Sequence, residues 1–228
     1  MIRLSSLFFI HSSCINYYEV VLLLGYIYNL PNGVLTYMAV QDENFKNYIR
    51  IKKAKDVHGD IVIPSSIDGL PVKEIDSQAF ANQEEITSVT VPDTVIKIKD
   101  RAFYACSALQ KIKLPENLSF LGYSAFVSCR NLKSIDIPGT IHYIDDYTFE
   151  FCCSLKEIIF HEGLKEIGSS AFYGCSIENL NLPDSLTVVG MNSFAYNTKI
   201  TNIKFNESLT DIKSGAFSKN ENLKSVVF

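Results

Sequence analysis

The sequence predicts an α/β solenoid: a right-handed superhelix of about seven 23-residue repeats, with a parallel β-sheet on one face and short helical or irregular turns on the other. Three observations predict it. Phenylalanine recurs at 80, 103, 126, 149, 172, 194 and 217, at intervals of 23, 23, 23, 23, 22 and 23. Aliphatic residues stand eight and five places before each, from Val72 and Ile75 to Leu209 and Ile212. An alternating apolar pair follows most of them, as in Ile112 and Leu114 or Ile135 and Ile137. Self-similarity at a fixed period of 20–50 residues marks stacked supersecondary units, none of which can bury its apolar side chains alone.

Residues 1–30 read as a leader outside the fold. Arg3 precedes the apolar run Leu4 to Ile10, and a second run spans Val20 to Ile27. Neither reaches the eighteen or so residues of a membrane span, so none is expected. The basic start and short apolar core suit a weak secretory signal, with Cys14 after Ser12 and Ser13 in the place of a lipoprotein box whose aliphatic position is taken by His11. Residues 31–64 read as strands, where Leu35 and Tyr37, then Tyr48 to Ile51, alternate as half-buried strands do.

The repeat domain spans 65–228. In each unit the Ile-x-Leu pair has the period of two of a strand with one face buried. Proline closes the pair at 92, 115, 138 and 183, because it cannot donate a ladder hydrogen bond. A small residue precedes each phenylalanine, as at Ala79, Thr148 and Ser193. Upstream lie Asp76-Ser77, Gly122, Asp145-Asp146 and Gly168-Ser169, which suit a turn entering a short helical piece.

Three places after the phenylalanine stand Gln83, Cys106, Cys129, Cys152, Cys175, Asn197 and Asn220. Four of the six cysteines therefore share one column. Side-chain vectors in a stacked column run parallel, which disfavours disulfides, and a line of thiols does not converge on a metal ion. Replacement of Cys by Asn within the chain points to a small side chain that packs in a turn and bonds nearby backbone. Cys153 points outward.

Written as aliphatic-x2-aliphatic-x4-Phe-x2-Cys/Asn-x2-Leu-x2-Ile-x-Ile-Pro, the unit resembles the BspA-like leucine-rich repeats of bacterial surface proteins and some protist proteins. The match covers 60–228, opening at Asp60 to Pro64 and Gly69 to Val72, and Val34 to Lys52 looks like that family's N-terminal β-hairpin cap, which makes residues 31–64 the cap and first strand. The resemblance implies a protein-binding or adhesive module, often secreted or displayed on the cell surface, with no enzyme chemistry. It carries over no functional residue, since the motif consists of core positions. His161 and Asn206 replace the usual proline, and one residue is missing after Cys175, so a turn should loosen there.

Catalytic and metal-binding residues are not expected, nor a cofactor. The four histidines at 11, 58, 142 and 161 stand in no metal or nucleophile motif, and no glycine-rich phosphate loop is present. The sequons at Asn117 and Asn206 are assigned no role. Lysine and arginine total 21 against 25 acidic residues, a net charge of −4 that argues against nucleic acid as a partner. The expected partner is a protein. Strand arithmetic turns Lys111, Lys113, Ser134, Asp136, Glu157, Ile159, Asn179, Asn181, Asn202 and Lys204 outward, and these make the candidate binding face. A passive cell-envelope spacer and an accessory region of a larger enzyme are the alternatives. At Phe228, a core position, no polar capping unit follows, and either a fragment of a longer protein or weak end-to-end self-association through the open C-terminus is expected.

Overall fold

The computed structural model describes residues 26–227, and the leader segment 1–25, Cys14 and Phe228 lie outside it. Strands β1 (Tyr26–Leu30), β2 (Gly33–Gln41) and β3 (Asn47–Lys55) form an antiparallel cap, with Leu30 opposite Gly33 at the first turn and Gln41 opposite Asn47 at the second. The boundary of the expected leader therefore moves: Tyr26–Leu30 belongs to the fold. Its alternation is hidden in an apolar composition that resembles a leader. Asn32 pins the first turn by donating to the backbone oxygens of His58 and Asp60.

The cap does more than cover the first coil. Strand β3 runs parallel to Leu70–Ile75, with Ile49 opposite Val72 and Ile51 opposite Ile75, and so becomes the first rung of a sheet continued by Lys97–Ile98 and Phe120–Leu121. Tyr143–Ile144, Glu166–Ile167, Val188–Val189 and Asp211–Ile212 form a second group of such two-residue rungs. This short-strand sheet was not anticipated, because two residues give alternation nothing to act on.

The longer strands make the other sheet in three laddered groups. Gly59–Val62 pairs with Ile86–Thr90, which pairs in turn with Lys111–Lys113; Ser134–Ile137 pairs with Glu157–Phe160; Leu180–Asn181 pairs with Asn202–Lys204, which pairs in turn with Ser225–Val227. A backbone bond from Lys133 to Gln110 (3.2 Å) and a bridge between Glu157 and Asn179 join the groups. After the first pair, where Asp60 meets Ser88 at 28, partners stand 23 residues apart, as Ser134 and Glu157 do, but Glu157 meets Asn179 at 22. The missing residue is thus absorbed within one coil, where Ile177 is fully buried and its N–H donates to Asn197 Oδ1 at 3.3 Å.

No helix occurs among the described residues, which corrects the expected helical turns. The segment around each phenylalanine alternates between two kinds of bond. Gln78, Phe80 and Asn82 donate to Asp100, Ala102 and Tyr104 of the next coil (2.7–3.0 Å), while Ala79, Ala81 and Gln83 donate three residues back within their own coil (3.1–3.2 Å). Residues two before and two after each phenylalanine have positive φ, among them Gln78 (58°), Asn82 (61°), Tyr147 (59°) and Phe151 (57°). Left-handed backbone every fourth residue cannot propagate an α-helix, and it costs a non-glycine residue roughly 1–2 kcal/mol. The gain is a third ladder along the solenoid, which satisfies backbone that a local helix would otherwise have satisfied.

Inside, the phenylalanine rings stack at the coil spacing. Successive centroids from Phe80 to Phe217 lie 4.9–5.4 Å apart, with planes within 15° of parallel. Beside them runs the cysteine column. The Sγ of Cys106, Cys129, Cys152 and Cys175 donates to the carbonyl of the previous coil's phenylalanine at 3.1–3.3 Å, and Asn197 and Asn220 make the same bond through Nδ2 at 2.8 and 3.1 Å. This shared bond is why Asn and Cys interchange. Burial pushes the thiols of Cys129, Cys152 and Cys175 well above their ordinary values.

Candidate functional site

The long-strand sheet presents a continuous outward row per strand, because period-two alternation commits Val89, Ile112, Ile135, Ile158 and Ile203 to the core. Lys111, Lys113, Ser134, Asp136, Glu157, Ile159, Asn179, Asn181, Asn202 and Lys204 are all exposed. They do not form one equivalent surface. Lys111, Lys113, Ser134 and Asp136 share a shallow trough of about 500 Å³ with Ser88 and Thr90, rimmed by Glu116 and Pro138 and floored by Val89, Ile112 and Leu114. Glu157, Ile159, Asn179, Asn181, Asn202 and Lys204 lie beyond it along the solenoid, and Ile159 stands out as an apolar island at 54% exposure.

The charges in and around the trough are unequally engaged. Asp60 Oδ1 accepts from Ser88 Oγ (2.7 Å) and Thr87 Oγ1 (2.9 Å), and these bonds lower the Asp60 pKa. Asp136 Oδ1 is held by His161 Nε2 at 2.8 Å, from the position where the repeat usually places proline. At the other substituted proline, Asn206 Nδ2 donates to the Pro183 carbonyl at 2.6 Å, so both of these turns gain a side-chain tie. Lys111, Lys113 and Lys204 have no carboxylate within 4.0 Å among the described residues.

The short-strand face is of another kind. Tyr143 lies on it, and burial, followed by Asp146, Asp145 and Glu166, pushes its hydroxyl up to about 12. The turn edge carries what inspection of the strands did not find: aromatic rings at the positions flanking the buried phenylalanine. Phe151, Tyr173 and Tyr196 contact one another across three coils, with centroids 5.5 and 5.1 Å apart, and Tyr123 packs on Tyr147. The signal is an extra aromatic within three residues of the periodic phenylalanine, after it at Phe151, Tyr173 and Tyr196 and before it at Tyr123 and Tyr147. Among the described residues no three His, Cys, Asp or Glu side chains converge to hold a metal ion.

The family model for the BspA type leucine-rich repeat region matches six copies over residues 73–197 and 123–228. The fold is shared with solved structures. A leucine-rich repeat protein of T. pallidum superposes with a TM-score of 0.61 at 24% identity, over 84% of this chain and 78% of that one. A leucine-rich cell surface protein of Faecalibacterium prausnitzii gives 0.55 at 18%, over 89% and 76%. A pneumococcal vaccine antigen gives 0.58 at 18%, over 90% and 70%. No curated protein matches the chain at a significant level.

Proposed function

Because this chain belongs to the BspA-type leucine-rich repeat family, we propose that it is a non-catalytic interaction or adhesion module that holds a protein partner on its long-strand face. The observation that carries the reading is the trough over Ser88, Lys111, Lys113 and Ser134, a concave and chemically mixed site on an otherwise regular sheet. Rigid strands on both sides preorganise it, which lowers the ordering cost of binding. The right-handed winding belongs to this reading too, on the general handedness of parallel crossovers. Display at the cell surface is part of it as well, since one relative in fold is a cell surface protein.

The test exposes the purified chain to arrays of extracellular-matrix and cell-surface proteins. Variants are then compared: Asn179→Arg with Asn181→Arg on the proposed face, and Tyr143→Arg on the short-strand face. Loss of a captured partner only in the first variant supports the reading. Equal loss in both, or no specific capture, favours a passive envelope spacer.

A further inference from the structure

Four lysines on the short-strand side and two on the trough side differ in how they are paired. On the short-strand side Lys52 pairs with Asp76, Lys73 with Asp42, Lys97 with Glu74, and Lys99 with both Glu74 and Asp76. Lys111 and Lys113, on the trough side, pair with none of the described carboxylates, although acidic residues stand nearby. Two of these are drawn sideways, Asp60 onto Thr87 and Ser88 and Asp136 onto His161, and Glu116 stands at the rim. A chain with a net charge of −4 thus keeps two unneutralised ammonium groups side by side in a depression.

The spacing of the pair specifies more. Lys111 and Lys113 flank the inward Ile112, so their stems leave the same face about 6.5–7 Å apart, the two-residue rise of a strand. An extended peptide lying along that strand presents its own residues i and i+2 at the same repeat. The row holding Lys111 has hydroxyls on either side, Ser88 opposite it in the ladder and Ser134 across the trough. We propose that this trough seats an extended acidic segment of the partner protein, with two carboxylates separated by one residue meeting Lys111 and Lys113. The proposal rests on the long-strand face being the binding face. A long uniform polyanion fits less well, because Asp60, Asp136 and Glu157 on neighbouring coils meet it on leaving the lysines along the solenoid axis, and Glu116, three residues past Lys113, meets it along the strand. Charge pairing of this kind sets orientation and encounter rate and weakens with salt.

The probes are fluorescent Ser/Gly peptides carrying Glu-Ser-Glu, Gln-Ser-Gln or contiguous Glu-Glu, together with inorganic polyphosphate, titrated into the full chain at low and high salt. The Glu-Ser-Glu peptide should bind about tenfold more tightly than its Gln counterpart, a difference of about 1.4 kcal/mol shared between two exposed pairings, and several-fold more tightly than Glu-Glu. Lys111→Glu with Lys113→Glu should abolish this preference and create one for a Lys-Ser-Lys peptide. Lys204→Gln, unpaired on the same sheet but outside the trough, should leave it unchanged. All three lysines are exposed, and each variant is to be checked for folding by its thermal melt. Equal affinity for the Glu and Gln peptides, equal loss in Lys204→Gln, or tighter binding of polyphosphate overturns the acidic-segment seat. If the lysine variants keep a captured partner that Asn179→Arg with Asn181→Arg loses, the seat fails while the face reading stands; if both sets keep it, the face reading fails too.

Discussion

The junction with the cap and the middle of the solenoid are held by opposite means. From Phe103 to Phe194 each coil offers its neighbour the same ring, aliphatic residues at the same positions and the same kind of side-chain bond to a phenylalanine carbonyl. At the junction the outward rungs alternate in charge: Arg50 faces Glu74, which faces Lys97, and Lys52 meets Asp76, which meets Lys99. Identical coils stack well but carry no information about which coil comes first. A charge sequence of plus, minus, plus marks one edge and one register for the hairpin, the use for which partly buried ion pairs are best attested.

The largest effect should come from the repeated core. Phe126→Ala, in a ring fully buried between Phe103 and Phe149, should cost about 3–5 kcal/mol through the cavity left behind. Phe217 is only partly buried, and its truncation should cost clearly less in denaturant melts. A terminal loss as large as the central one would break the comparison by showing that the end is packed as the middle is.

Next comes the junction. Glu74 is 5% exposed and takes bonds from Arg50 Nε (2.6 Å) and Tyr48 Oη (3.0 Å), with Lys99 Nζ at 3.2 Å. Glu74→Ala leaves those cations facing a gap, at roughly 3 kcal/mol. The loss should be local: limited proteolysis should cut the hairpin before the coils around Phe126 open, whereas simultaneous cutting would argue against a separate junction. Acid sharpens the same point. Burial pushes the Glu74 and Asp76 carboxyls upward, but Arg50 and Lys99 for the first, and Lys52 and Lys99 for the second, more than reverse this and hold them below their ordinary values. A depressed folded pKa contributes stability that is complete above the unfolded value near 4 and lost as pH falls through the folded one. Hairpin protection should therefore decline below about pH 4, and should do so less in Glu74→Gln.

The cysteine column predicts a smaller effect. Cys129→Asn keeps a donor toward the Phe103 carbonyl and should cost less than Cys129→Ala, which loses about 1 kcal/mol with the bond. In native labelling Cys153 should react while Cys106, Cys129, Cys152 and Cys175 stay protected until unfolding. Reaction of the column before unfolding would mean that the coils breathe apart.

The smallest is a gain. Ser193 is buried with its hydroxyl unpaired among the described residues, at a position where five other coils carry alanine. Ser193→Ala should raise stability by up to about 1 kcal/mol; a fall in Tm would show that the hydroxyl has a partner.

What could be read along the chain was whatever repeats. The seven phenylalanines, the inward Ile112 and Leu114, and the exchange of Cys175 for Asn197 in one column are facts of spacing, because burial imposes a period that composition displays directly. The outward set from Lys111 to Lys204 followed from the same arithmetic. Three features needed the coil to close. Left-handed backbone at Gln78 and Phe151 is favoured by neither residue alone and arises because alternate N–H groups bond to the next coil instead of back along a helix. Tyr26–Leu30 looks like leader until its partner strand Gly33–Gln41 is placed beside it. The difference between Lys111, left free over a trough, and Lys99, locked between Glu74 and Asp76, lies in residues more than twenty positions apart. Periodicity is a local property that one dimension records, whereas which charges meet depends on how far each turn carries the chain before it comes back alongside itself.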